Sequence, residues 1–246
     1  LTNDISTLNE GISNLSDNIS FASFEEQMYL YRFNSDTDRV LKFSWGANKA
    51  LFPDTIEFVI KPDRTSGPSS SAKTILKNSG SGAEHLWDLR LITSSSDARY
   101  GKLEFRLNNS RTGSSAIASN AVSMSTDFIG LQHGGLLWNV MLQRMTGSVS
   151  GSYTQDYRLH AALQEDDRIT TYSAVSMSVS GGLSRDANYN ANENFAGTGS
   201  LNATASANLY VGLTYTGSMS EFRVWNTPLQ VSKFKQHILN KRSTTG

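Results

Sequence analysis

Cysteine is absent from all 246 residues, so neither disulfide staples nor thiolate metal sites are available, and the chain suits an oxidising or a reducing compartment equally. Neither sign of charge is in excess, because 22 Lys plus Arg stand against 22 Asp plus Glu. That balance offers no basic field of the kind a phosphate backbone needs, and a nucleic-acid partner is not expected. Apolar runs are short as well: none approaches the roughly 18 residues of a membrane span, and no charged start followed by an apolar core marks a signal peptide. The first residue is Leu1 rather than Met, which suggests a piece of a longer polypeptide. With 38% hydrophobic content, the length suits one all-β domain with an appendage better than two full domains.

Two regions with different periods follow from the apolar spacing. Between residues 1 and 20, Leu1, Ile5, Leu8, Ile12, Leu15 and Ile19 recur at alternating intervals of four and three, a heptad with Ile at a and Leu at d. A lone helix of this kind would expose an apolar seam, and its Ser, Thr, Asn and Asp filling is poor helix material, so it needs partner helices. The segment therefore predicts an oligomerising coiled coil over 1–20. Ile at a with Leu at d favours two strands, yet the nearly uncharged e and g positions do not enforce that number. Short Ser/Asn-rich heptads running into a β-domain resemble trimeric phage fibre proteins, and that resemblance implies a homotrimer, with a dimer as the alternative.

From residue 21 onward the period is two. Leu41, Phe43 and Trp45 alternate, as do Ile56, Phe58 and Ile60; Trp87, Leu89 and Leu91; Leu103, Phe105 and Leu107; Trp138, Val140 and Leu142; Leu159, Ala161 and Leu163; Val175, Met177 and Val179; and Leu209, Val211 and Leu213. Turn chemistry such as Asn78-Ser-Gly-Ser-Gly and Glu165-Asp-Asp separates these runs. Many short strands at such spacing predict two packed sheets over 21–246. Trp45, Trp87, Trp138 and Trp225 each fall in phase with apolar neighbours and are expected in the core.

Near the carboxyl end, within Gly217-Ser-Met-Ser-Glu-Phe-Arg-Val-Trp225, Ser220 to Trp225 reads as a strand with Phe222 and Val224 on one face and Glu221 and Arg223 on the other. Thr227 is the expected N-cap of a following helix, Pro228 its first residue, and Val231, Phe234 and Ile238 its apolar stripe. His237, next to Ile238, is expected at the surface. A Gly, an alternating strand ending in Val-Trp-Asn, a Pro-Leu and an amphipathic helix resemble the closing segment of laminin-G-like domains in the concanavalin A-like lectin and glucanase superfamily. Asp54-Thr-Ile-Glu-Phe-Val-Ile-Lys-Pro62, Tyr100–Leu107, Leu137–Arg144 and Asn208–Gly212 are similar to earlier strands of the same plan. The resemblance implies an all-β, concanavalin A-like antiparallel sandwich, or jelly roll, between a short N-terminal coiled-coil helix and a short C-terminal helix.

Signals for catalysis are sparse. Glycosidases of that superfamily carry Glu-x-Asp-x-Glu on one strand, because a carboxylate pair about 5–9.5 Å apart is what either stereochemical course needs. This chain has acid-x-acid pairs only at Asp36/Asp38 and Glu165/Asp167, both among turn residues. Gly147-Ser-Val-Ser-Gly151 has Val where a nucleophile elbow has Ser, and His85, His133, His160 and His237 lack metal-ligand spacing. No enzymatic activity is expected. The resemblance implies that loop acids could hold Ca2+, which takes several hard oxygens, and the candidates are Glu165, Asp166 and Asp167, or separately Asp186, Asn188, Asn190 and Asn192. Asn188, Tyr189, Asn190, Asn192 and Asn194 form a loop of amides and a ring suited to sugar hydroxyls and a pyranose face.

The combined resemblance of stem and head to phage fibre proteins implies a non-enzymatic structural and recognition module of a phage tail or fibre. It would sit in the virion beside other structural proteins, with host-surface polysaccharide as ligand. The alternatives are an extracellular bacterial adhesin or carbohydrate-binding module, and a glycoside hydrolase whose carboxylates come from separate strands.

Overall fold

In a computed structural model of the chain, residues 30–35, 39–46, 48, 51–67, 71–80, 85–108, 117, 121–149, 152–182, 201 and 207–241 are described. The expected coiled coil and the Asn-rich loop at 186–194 lie outside them. Twelve strands are formed within the compact unit that begins at Tyr31: β1 (Tyr31–Asn34), β2 (Leu41–Ser44), β3 (Thr55–Pro62), β4 (Ala72–Ser79), β5 (His85–Thr93), β6 (Gly101–Leu107), β7 (Val122–Ser125), β8 (Trp138–Val149), β9 (Ser152–Glu165), β10 (Arg168–Gly182), β11 (Asn208–Val211) and β12 (Thr216–Trp225). One helix, α1 (Val231–Leu239), follows them.

The strands make two six-stranded sheets, β1-β12-β3-β8-β9-β10 and β2-β11-β4-β5-β6-β7, with every pairing antiparallel. This is an all-β sandwich of jelly-roll type. The period-two residues face one another between the sheets: Ile56, Phe58 and Ile60 of β3 and Trp138, Val140 and Leu142 of β8 meet Trp87, Leu89 and Leu91 of β5 and Leu103 and Phe105 of β6. Burial of each such side chain contributes about 1.5–3 kcal/mol, which is why the alternation survives in nearly every strand. The chain closes on itself, because β1 pairs with β12 and β2 with β11.

Four local expectations are corrected. The helix starts at Val231 with Gln230 as N-cap, not at Thr227 and Pro228, because the Thr227 carbonyl and the Leu229 N–H are both bound to the Thr55 hydroxyl, at 2.9 and 3.0 Å. Leu213 does not continue β11: Gly212 turns at φ 85° and ends the strand. Trp87 and Trp138 are buried, but Trp45 and Trp225 are only half-buried, and Trp225 packs on the outer face of the first sheet. His237 is buried, as the helix contacts explain.

Helix α1 lies on that outer face. Phe234 and Ile238 join Leu229 over Met141 and Ala162, with Ile169 and Trp225 at the margin. At the centre sits Glu57, 4% exposed, which accepts from the Trp225 indole at 2.9 Å and faces the His237 Nδ1 at 3.0 Å through the same oxygen. The His237 ring stacks on Trp225, their centroids 5.4 Å apart. Nearby, His160 is buried, with its Nδ1 2.7 Å from the Tyr172 hydroxyl.

Burial, with Arg158 and Lys235 adding repulsion, lowers the His160 pKa to about 4. In the unfolded chain the ordinary value is about 6.5, so between those limits only the unfolded state takes the proton, and the stability His160 contributes is lost as pH falls from about 6.5 towards 4. Asp54 works in the opposite direction: burial, partly offset by Arg144, raises its pKa to about 6. The folded state then keeps a proton that the unfolded state releases, and stability falls as pH rises from about 4 to 6. Urea unfolding at pH 7 and pH 4.5 should therefore show a smaller acid loss in His160→Phe than in the parent, and a larger one in Asp54→Asn. Equal acid losses in all three would contradict this assignment.

Candidate functional site

The outer face of the second sheet is built by the residues between the apolar ones. Its register places Lys42 of β2 opposite Tyr210 of β11, Tyr210 opposite Lys77 of β4, Lys77 opposite Asp88 of β5, Asp88 opposite Arg106 of β6, and Arg106 opposite Ser123 of β7. One row of polar side chains thus crosses all six strands, and a second runs from Arg90 through Glu104 to Ser125. Strand parity makes this outcome unavoidable once Leu209, Val211, Leu89 and Phe105 are committed to the core.

Acids on this face are already engaged. Asp88 is buried, which disfavours its charged form, yet hydrogen bonds from His85 and Arg106 more than compensate and lower its pKa. Arg106 binds it through two nitrogens, at 2.9 and 2.5 Å. Glu104 is held by Arg90. The lysines differ: among the described residues neither Lys42 nor Lys77 has a carboxylate partner, and Lys42 Nζ stands 5.9 Å from the centre of the Tyr210 ring. Between them opens a groove of about 410 Å³, lined by Lys42, Lys77, Ser79, Asn208, Tyr210 and Leu213.

A second concavity, about 560 Å³, lies between the β3–β4 segment and the β5–β6 turn, where Arg64, Thr65 and Ser66 face Ser96 and Asp97. The pKa of the half-buried Asp97 carboxylate is held down to about 2 by the hydrogen bonds it accepts from Arg99. Beyond it, Tyr100 and Phe128 are exposed rings, with Lys102 Nζ 5.6 Å from the Phe128 centre. All lie at the β6 side of the same sheet.

Of the residues singled out in the sequence, Glu165, Asp166 and Asp167 are exposed at the tip of the β9–β10 hairpin. Asp166 takes φ 53°, a conformation Asp tolerates, and its carbonyl accepts from Gln164 Nε2 at 3.1 Å. Among the described residues, no group of three or more His, Asp or Glu is placed to hold a metal ion. Asn188, Tyr189, Asn190, Asn192 and Asn194, and the heptad residues Leu1, Ile5, Leu8, Ile12, Leu15 and Ile19, fall outside the description. Lys42, Lys77 and Tyr210 were not singled out. Their outward parity was readable beside Phe43, Leu76 and Leu209, but that β11 lies between β2 and β4 is a long-range fact with no local signal.

No protein-family model matches the chain. No curated protein matches it either. Among solved structures it is similar to a heptameric SAP-like pentraxin from Limulus polyphemus, at 12% identity and TM-score 0.46, over 89% of this chain and 80% of that one. It is also similar to the enzymatically active domain of bacteriophage CBA120 tailspike protein 2, at 14% identity and TM-score 0.43, over 86% of this chain and 27% of that one. A third is the CBM2 module of an evolved Dit from Lactobacillus casei BL23 phage J-1, at 11% identity and TM-score 0.31, over 78% and 71% of the two chains. Among the described residues, no helix is long and apolar enough to cross a membrane.

Proposed function

We propose that the chain is a non-enzymatic recognition module of a phage tail or fibre, and that its sandwich contacts host-surface glycans. The observation that carries this reading is the outer face of the second sheet, where an open groove combines a tyrosine ring, an amide, a hydroxyl and two lysines that have no carboxylate partner among the described residues. Sugars are held by such a mixture: a flat ring for the pyranose face, and donors and acceptors for the hydroxyls. The absence of enzymatic activity is supported by the state of the acids on that face. Asp88 is bound to Arg106 and its pKa is lowered, whereas a general acid needs a raised one, and Glu104 is engaged by Arg90. The virion setting rests on the resemblance of the heptad and the closing strand and helix to phage fibre and laminin-G-like proteins. An oligomer assembled through residues 1–20 would add weak contacts into avidity.

The full chain, applied to an array of bacterial surface polysaccharides, should bind a subset of them without releasing new reducing ends. Uniformly blank wells would defeat glycan recognition. Release of reducing ends, abolished by one acid-to-amide change, would show an enzyme instead. Solution mass with and without residues 1–20 tests the oligomer: an unchanged monomeric mass removes the avidity argument.

A further inference from the structure

Resting on that glycan-binding reading, we propose that the groove bounded by β2, β11 and β4 takes an acidic saccharide, with Tyr210 beneath the sugar ring and Lys42 and Lys77 on either side of its negative group. Both lysines are register partners of Tyr210, one on each flanking strand, so their Cα atoms stand two strand spacings apart, about 10 Å. A pyranose that takes the place of the Lys42 ammonium over the ring therefore brings a carboxylate or phosphate substituent within reach of both flexible ammonium groups. Lysine meets such a group as a mobile point charge rather than as a planar fork. Asn208 and Ser79 line the same groove and can serve the ring hydroxyls.

Charge over the whole face supports an anionic ligand. The chain is neutral overall, yet five cations, Lys42, Lys77, Arg90, Lys102 and Arg106, project from this sheet against two carboxylates, Asp88 and Glu104. Both carboxylates are bound by arginine, so among the described residues the uncompensated charge lies at the lysines, and Lys42 and Lys77 are the two beside the groove. A neutral surface glycan would gain nothing from that arrangement, whereas an acidic one is drawn in over a Debye length, about 10 Å in 0.1 M salt.

The test is calorimetric titration of the full chain with hexamers of galacturonate, mannuronate and guluronate, each against its methyl ester, and with a phosphorylated oligomannose against its dephosphorylated form. The expected result is binding of at least one acidic probe, with roughly tenfold weaker affinity for its neutral counterpart and weakening as salt rises. Which acidic probe binds separates carboxylate from phosphate as the source of the charge. Lys42→Gln and Lys77→Gln, which remove the charge and keep a polar end on a shorter stem, should each lower affinity by roughly fivefold to tenfold, and Tyr210→Leu by at least as much. All three should leave the thermal midpoint near that of the parent, while Ser176→Ala on the other sheet should leave affinity unchanged. If acidic probes bind but the three groove variants bind equally well, the groove is wrong and glycan recognition stands. If array glycans bind but only neutral ones do, the acidic assignment is wrong. If neither the array nor the hexamers show binding, both readings fall.

Discussion

Gly212→Ala should destabilise the sandwich by about 3–5 kcal/mol, enough to leave a marginally stable domain largely unfolded at ordinary temperature. Two effects add. Gly212 adopts φ 85°, where an L side chain is strained, and a Cβ there would lie 1.9 Å from Cδ1 of Phe33, itself 1% exposed in β1. The backbone cannot withdraw easily, since the Gly212 N–H donates to the Ile75 carbonyl at 2.7 Å and so ties the turn to β4. Urea denaturation measures the loss. Removing the obstructing ring supplies the internal check: Gly212→Ala combined with Phe33→Ala should cost less than the sum of the single changes, because the second substitution clears the overlap the first creates. Strict additivity, or a Gly212→Ala protein within about 1 kcal/mol of the parent, would refute the steric account.

Glu57→Ala is expected to cost about 3–5 kcal/mol by a different route, since it removes the acceptor of the Trp225 indole N–H and the carboxylate that faces His237 beneath α1. The helix itself should loosen, so hydrogen exchange at Phe234 and Ile238 should accelerate more than at Leu89 or Val140 in the main core. Glu57→Gln, which keeps one acceptor oxygen in place, should cost distinctly less. The triple replacement Glu57→Leu, Trp225→Phe, His237→Phe removes every partner together and should recover most of the loss, because a buried polar cluster exchanged whole for packed apolar groups is often neutral. A Glu57→Ala variant with unchanged helix exchange would show that the apolar contacts of Phe234 and Ile238 hold α1 without the carboxylate.

Reading such clusters from sequence fails for a physical reason that these residues illustrate. Parity alone places Ile56, Phe58 and Ile60 inward, because each neighbour two positions away tells the same story. Parity also places Arg144 inward, in phase with Trp138, Val140 and Leu142, while its charge argues for solvent. The structure resolves the conflict in favour of parity: Arg144 is 2% exposed, with Gln155 and Asp54 alongside. His237 looks like a surface residue until Glu57, 180 positions earlier, is brought under it. The strand was legible from Ser220 to Trp225, but not its start at Thr216 or its bulge, where Glu221 turns to φ 51° and two residues face Phe58. Helix α1 begins three residues late for the same kind of reason, since Thr55 captures the backbone that would have formed its first turn. The groove follows this pattern. Lys42, Lys77 and Tyr210 have the outward parity their strands give them, yet only the order β2-β11-β4 makes them neighbours.

The pairing of β1 with β12 and of β2 with β11 has a consequence for how the domain is made. A ribosome delivers β1 and β2 roughly 160 to 190 residues before their mates, so the nascent chain must carry unsatisfied edges until β11 and β12 have emerged. Contacts so distant in sequence make for slow folding, and a chain interrupted before Asn208 would lack the partners that seal both sheets.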